Sequence, residues 1–426
     1  MKNRKIFLMA LIVILYFSII VPFLSASNSV AVKWYRTWGS VNYEECMGMT
    51  VDSSGNIYLA GYTYITMPFG DMVLVKYDSS GVQQWNRTWG GIDPDFGLEV
   101  AVDSSGNIYL AGNTNGSGAV YVDLVLVKYD SSGVQQWNRT WGGVNLERGW
   151  GVAVDSSDNV YVSGWTYSFG AGDNDMVLVK YDSSGVQKWN RTWGGIDDDG
   201  GLKVAVDSSD NVYLAGRTRS SGAGDFDLVL VKYDSSGVQQ WNRTWGGIWD
   251  DKGMGVAVDS SDNVYLAGYT FSFGMVGQNM VLVKYDSSGV QQWNRTWGGV
   301  YSDRGTGIAF DSSGNVYLAG FTLSFGAGDN DMVLVKYDSS GVEQWYRTWG
   351  GIDDDYSWGV AVDLFDNVYL SGGTSSFGAG GMDMVLVKYG ESKSPAIYGY
   401  DLLLFISVIG VITAITGLFL NKKYHK

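Results

Sequence analysis

An all-β, seven-bladed propeller of four-stranded antiparallel blades is predicted by three observations. A Trp-x-Arg-Thr-Trp strand begins at Trp34 and recurs at Trp85, Trp137, Trp189, Trp241, Trp293 and Trp345, spaced 51 residues once and 52 five times. A second strand, Val-Leu-Val-Lys-Tyr, also occurs seven times, beginning at Val73, Val125, Val177, Val229, Val281, Val333 and Val385. The two series are out of phase at the chain ends: no Trp strand follows Val385–Tyr389, and no Val-Leu-Val-Lys-Tyr precedes Trp34. Short strands repeating at this period build propellers or solenoids. The split unit selects the ring, with Val32–Trp38 supplying the fourth strand of a last blade whose third strand is Val385–Tyr389.

Along the chain, the elements fall in this order. Residues 1–26 combine a basic start (Lys2, Arg4, Lys5), an apolar run from Ile6 to Val21 and a small-residue exit at Ser25-Ala26, which is the pattern of a secretory signal peptide. Residues 32–389 are the propeller and 390–401 a linker. Leu402–Leu420 is 19 uncharged residues, about 28 Å as a helix and close to a bilayer core. Residues 421–426 form a basic tail, which places the repeats outside the cell on a single-pass membrane anchor.

Composition narrows the function classes. The net charge is −15, and it becomes more negative when the six Lys and Arg of the two ends are set aside. Nucleic acid is therefore not an expected partner, because phosphate recognition needs a basic face. One cysteine, Cys46, leaves no intrachain disulfide to hold the fold. Repeat packing has to do it.

In the fourth blade, Leu202–Asp207 is a strand of small residues, and Ser208–Asn211 turns it into Val212–Gly216. A Gly/Ser/Asp loop leads to Leu228–Tyr233, and Asp234-Ser-Ser-Gly237 turns that strand into Val238–Trp245. Asp and Ser favour such turns by bonding their own backbone, and Gly accepts positive φ. Period-2 alternation puts Trp241, Arg243 and Trp245 on one side of the outer strand, where the Arg is expected to stack on indole. Trp150 and Trp358 replace Met or Leu in other blades and read as core residues.

The runs Trp-x-Arg-Thr-Trp-Gly-Gly and Gly-Val-Ala-Val-Asp-Ser-Ser-x-Asn-Val-Tyr-x-x-Gly resemble the prokaryotic β-propeller repeat family labelled SBBP. The resemblance covers residues 32–389. Tyr398-Gly-Tyr-Asp401, ahead of an apolar segment and a Lys-rich end, is similar to the C-terminal segments of archaeal surface proteins. The resemblance implies a propeller at the cell surface and no particular reaction.

Connectivity puts the strand 2–3 loops and the blade-to-blade loops on one face, the variable one. Rigid scaffolds carry function on such loops. The acidic pairs Asp173/Asp175, Asp225/Asp227 and Asp329/Asp331 lie there on Gly-rich segments, as do the triplets Asp197–Asp199 and Asp353–Asp355, and they are candidates for calcium. Solvated carboxylates are the alternative, because no complete calcium loop is present; no other cofactor is expected. Positions where the copies differ are the candidates for a ligand. Ten residues after the first-strand Asp stand Tyr62, Trp165, Arg217, Tyr269 and Phe321; ten before it stand Trp249 and Tyr301. Aromatic faces beside carboxylates suit sugar rings, so a glycan or protein ligand is expected there.

Sequons occur at Asn86, Asn138, Asn190, Asn242 and Asn294 in the outer strand and at Asn115 in a loop, which makes them candidate glycan acceptors. The sole His is His425, in the tail, so His-dependent triads and His-bearing zinc sites are excluded from the repeats. The expected role is non-catalytic binding or structure. The alternative is a carboxylate-based polysaccharide hydrolase or lyase.

Overall fold

The computed structural model describes residues 29–64, 70–115 and 121–392. Their strands form seven four-stranded sheets. Blades 1 to 6 span residues 44–89, 95–141, 147–193, 199–245, 251–297 and 303–349. Blade 7 takes three strands from 355–392 and its outermost from Ser29–Trp38. The last blade is thus closed by the N-terminal strand, as the phase of the repeat requires. The chain divides into two units, 33–388 and the two ends, and the propeller described below is the first of these. The last described strand runs to Ser392, three residues into the predicted linker. The predicted signal peptide, transmembrane segment and basic tail lie outside the described residues, which contain no helix long and apolar enough to cross a membrane.

Blade 4 shows why the sequence folds this way. Its strands are Asp199–Val206, Val212–Thr218, Asp227–Tyr233 and Gln239–Trp245, with a register shift between Gly201 and Lys203. The extra residue there is Leu202, and the equivalent bulge recurs in the first strand of every blade. A bulge re-aims the strand, and Asp199, expected in a loop, continues the ladder with Gly200 opposite Thr218 and Arg217. Trp150 and Trp358 occupy this bulge in blades 3 and 7. Both are half-buried rather than core, Trp358 turning its Nε1 to Glu45 of blade 1, whereas Leu98 and Thr306 at the same position are buried.

Packing between blades is apolar. Tyr213, Ala215, Leu228 and Leu230 of blade 4 meet Val264, Leu266, Val281, Val283 and Tyr285 of blade 5, with Trp241 and Trp245 against the edge of this cluster. Each inner strand also contacts the inner strand of the next blade, including 44–51 against 355–362.

A polar clasp repeats on the short-turn face. Arg243 stacks on Trp241 at 5.1 Å and donates from Nε to the Gly289 carbonyl of the next blade at 2.6 Å. Gly289 (φ 81°) sits over the same indole, where a side chain would have no room. Lys232 Nζ donates to Ser287 O at 3.1 Å while lying over Tyr213. At the ring closure Arg36 bonds Gly81 O at 2.8 Å, Lys388 bonds Ser79 O at 3.2 Å, and Trp34 packs on Tyr369. The N-terminal strand therefore makes the same contacts as five of its counterparts. The junction of blades 6 and 7 differs, because the chain ends replace the third turn of blade 7. Lys336 there bonds Asp311 of its own blade at 3.1 Å.

The first turn is anchored by a buried carboxylate. Asp207 accepts from Ser209 N, Asn211 N, Asn211 Nδ2 and Tyr213 Oη at 2.9–3.0 Å, with Lys232 Nζ at 3.6 Å. Burial pushes its pKa up, but the Asn211 and Tyr213 bonds outweigh this and hold it below the ordinary range. Between blades, Ser208 donates to Asp262, a residue held at φ 59°. Equivalent bonds join Ser104 to Asp158, Ser156 to Asp210 and Ser312 to Asp366. Where Gly106 replaces the Asp in blade 2, a cleft of about 510 Å³ opens between blades 1 and 2.

Candidate functional site

On the variable face, the second residue of each first strand pairs with the sixth of the second strand: Glu45 with Tyr62, Phe96 with Asn113, Arg148 with Trp165, Gly200 with Arg217, Lys252 with Tyr269, Arg304 with Phe321 and Tyr356 with Gly373. Each rung sits on the innermost hairpin, so together they ring the mouth of the central channel. Their neighbours are nearly constant, an acid and usually Gly in the first strand and Gly and Thr in the second, whereas the rungs change from blade to blade. This is where the sequence has diverged inside a rigid frame.

Contacts run from rung to rung. Arg148 lies over Trp165 at 5.6 Å, and both Trp165 and Arg217 border Gly200. Arg217, Arg219 and Lys252 all lie over Phe226, at 4.7, 4.2 and 4.6 Å. Arg304 lies over Tyr269 at 5.0 Å and Phe321 at 5.8 Å. Phe321 packs edge-on against Tyr356 and Trp358. Trp358 Nε1 then donates to Glu45 at 2.7 Å, and Tyr43 and Tyr62 donate to the same carboxylate at 2.9 and 2.5 Å. Burial, followed by the Glu45 charge, pushes both tyrosines well above their usual pKa. Below the mouth, Lys203 and Glu99 form an ion pair from blade 4 to blade 2, beside a cavity of about 150 Å³ that Thr306 and Trp358 also line.

The predicted ligand residues separate into two groups. Tyr62, Trp165, Arg217, Tyr269 and Phe321 are rung members; Tyr269 and Phe321 are buried, Trp165 and Arg217 half-buried. Trp249 and Tyr301 stand apart on the blade-to-blade loops, 61% and 63% exposed, with their backbone amides bonded to Ser272 and Ser324 Oγ. Arg148, Lys252 and Arg304 were not anticipated. The signal was present one residue after the buried acid that starts each first strand, where the copies read Glu, Phe, Arg, Gly, Lys, Arg and Tyr.

The acidic pairs are not brought together as pairs. Asp175, Asp227 and Asp331 turn inward and accept from Ala171, Ala223 and Ala327 N at 2.6–2.7 Å, tying down their own loops. Asp173, Asp225 and Asp329 are exposed, Asp225 against Arg219 at 2.7 Å. Each inward Asp instead faces the acid opening the next blade: Asp175 faces Asp199, Asp227 faces Asp251 and Asp331 faces Asp355, across the first Gly of Trp-Gly-Gly. Blades 5 and 6 use Asn279 and Asp303. Burial, then the neighbouring carboxylate, raises the pKa of Asp227 and Asp331, and it pushes Asp123, beside Glu147, up to about 6. The second acid is held by amides, as in Gly247 N to Asp251 at 2.7 Å. Two carboxylates, already occupied by amides, are fewer oxygens than calcium takes from a protein site. Among the described residues, no group of three or more His, Cys, Asp or Glu is placed to hold a metal.

Asn86, Asn138, Asn190, Asn242 and Asn294 are exposed on the outermost strands, and Asn115 is half-buried at the end of a second strand. Cys46 is buried, which pushes its thiol up to about 12 and keeps it protonated.

Comparison with known proteins bears on the repeat and the fold. The chain is 30% identical over 178 residues to the regulatory protein FlaEY of Caulobacter vibrioides, across 38% of this chain and 17% of that one. It is 21% identical to an uncharacterised WD-repeat-containing protein of Acanthamoeba polyphaga mimivirus, across 81% of this chain and 36% of the other. The chain therefore spans well under half the length of either relative. Among solved structures it is similar to the Neurospora crassa Pan2 WD40 domain, with a TM-score of 0.51, 8% identity and coverage of 86% of this chain and 97% of that domain. That likeness concerns the fold alone. Residues 45–66, 89–118 and 298–325 match the model of the SBBP β-propeller repeat, and the seven four-stranded sheets make the chain a β-propeller.

Proposed function

We propose that the protein is a non-catalytic binding propeller of the cell surface, which takes a saccharide ligand at the channel mouth of its variable face. The observation that carries this reading is the ring of rungs. Seven structurally equivalent positions on the innermost hairpins have diverged, while the residues around them repeat. Exposed Trp249 and Tyr301 extend the surface outward with flat apolar faces of the kind that pack on sugar rings. Sequons on the outermost strands would carry glycans away from this face and cover the exposed sheet edges.

Catalysis by a carboxyl pair fits less well. The paired acids recur at the blade junctions, and members such as Asp227 and Asp251 are 1% and 0% exposed, so a polysaccharide has no path to them. Incubating the purified full chain with an immobilised glycan panel tests the proposal. Retention without cleavage is the expected result; new reducing ends would replace binding by hydrolysis, and passage of every glycan unretained would overturn the reading.

A further inference from the structure

The rungs of blades 3 to 6 each contribute one cation, Arg148, Arg217, Lys252 and Arg304, in a chain of net charge −15. The whole ring of rungs carries one carboxylate, Glu45, and three donors from Tyr43, Tyr62 and Trp358 already occupy it. Lys252 is paired with Asp250 at 3.1 Å, and Arg304 Nε is bonded to Gln278 at 2.7 Å. Arg219 is paired with Asp225, and Asp198 is held by Asn174. Arg148 and Arg217 are left over. Among the described residues neither has a carboxylate within ion-pair distance, and the Nε of each is buried without a hydrogen-bond partner. Trp150 Nε1, two residues along the strand from Arg148, is also buried and unpartnered.

A buried donor without an acceptor is destabilising, because it has given up its bond to water. Three of them on one arc, each lacking an acceptor, mark a place where acceptor oxygens are missing. Trp165 lies between the two arginines, against Arg148 and bordering Gly200 together with Arg217. Its half-buried indole, with Arg148 over the ring, offers apolar surface beside the two guanidinium groups. Guanidinium groups match carboxylates through paired N–H···O bonds. A long polyanion is disfavoured, because Asp197, Asp198 and Asp225 stand on the surrounding loops. The geometry calls for one anionic group on a short or end-on ligand.

We propose that Arg148 and Arg217 clamp the carboxylate of an acidic sugar, a uronate whose ring packs on Trp165. This rests on the binding function proposed above and names the chemistry of its ligand. The test is calorimetric titration of the full chain with three trisaccharides: trigalacturonate, the same trimer with its carboxylates reduced to alcohols, and a sulfated neutral trimer. Trigalacturonate is expected to bind at least about tenfold more tightly than either of the others, and raising salt from about 0.05 to about 0.5 M should weaken it. Arg148→Gln and Arg217→Gln should each weaken binding about tenfold or more, the loss of a charge-assisted hydrogen bond, with the melting temperature preserved. Equal binding of the reduced trimer, or wild-type affinity in both variants, overturns the acidic-sugar assignment and leaves a binding propeller standing. Preference for the sulfated trimer overturns the carboxylate in favour of sulfate. Absence of binding by all three overturns the assignment, while the glycan panel decides the binding function separately.

Discussion

The two faces of the propeller are built from the same hairpins and have been used differently. On the short-turn face, Asp207 and its counterparts gather backbone amides, an Asn, a Tyr and a Lys, and Ser208-type hydroxyls reach the next blade. These polar groups tie the turns to each other and to the next blade, so a change in one blade disturbs its neighbour. On the variable face cohesion is delegated to the buried carboxyl pairs and their amides, one level beneath the loops. The rungs above them also touch across blades, but through contacts that differ from junction to junction, as in Trp358 to Glu45 and Arg304 to Gln278.

Four experiments would break or sharpen this contrast. The largest effect is expected from deleting residues 30–40, which removes Trp34, Arg36 and Trp38 and reopens the junction with blade 1. Stability should fall by at least about 5 kcal/mol, given that burying a single Trp contributes about 3–5. An unchanged melting temperature would contradict closure by the N-terminal strand.

Next is Asp207→Ala. It strips the anchor from Ser209, Asn211 and Tyr213 and leaves Lys232 without its nearest carboxylate. A loss of about 3 kcal/mol in denaturant unfolding is expected, with ligand retention unaffected. A comparable loss from a rung variant such as Arg217→Gln would erase the distinction between the faces.

The third experiment uses pH. Asp123, Asp227 and Asp331 have raised pKa values in the fold, so they favour the protonated form, and stability falls as pH rises from about 4, the ordinary carboxylate value, to about 6, the value reached by Asp123. Asp155, Asp207 and Asp311 are shifted the other way, so their contribution is present above about 4 and lost as pH falls below it. Urea unfolding across pH should therefore show a maximum near pH 4–5. Asp227→Asn copies the natural Asn279–Asp303 junction and should stabilise by about 1 kcal/mol at pH 7 while having little effect at pH 4. No gain at pH 7 would mean that the facing acids do not repel.

The smallest effect is expected from Trp249→Ala, a change of less than about 0.5 kcal/mol for a side chain 61% exposed. Glycan retention should nonetheless weaken.

Blade number, strand order and ring closure were legible because the repeat states them seven times and the phase of its ends states the seam. Alternation also revealed the Trp–Arg stacking, borne out at 5.0–5.3 Å in all seven outer strands. Register was harder. The bulge at Leu202 and its equivalents inserts a residue, so counting along the chain does not pair Arg148 with Trp165 or Arg304 with Phe321. Trp150 and Trp358 read as core because their equivalents are apolar, but an indole is too large to be covered where Leu98 is. Neighbours in sequence also misled: Asp225 and Asp227 lie two residues apart but serve different partners, and the carboxylate facing Asp227 belongs to another blade. Contacts between copies are invisible to any reading of one copy.

The seam between the N-terminal strand and blade 7 also sets the order of assembly. During synthesis the strand Ser29–Trp38 emerges first, yet its place in the sheet exists only after Asp383–Ser392 has been made. For the length of six blades it is an unpaired strand carrying two indoles, the kind of edge that recruits other chains. Translation that stops before the last blade would leave that edge permanently open. The edge therefore stays open until Asp383–Ser392 has been made, and that strand is what covers it.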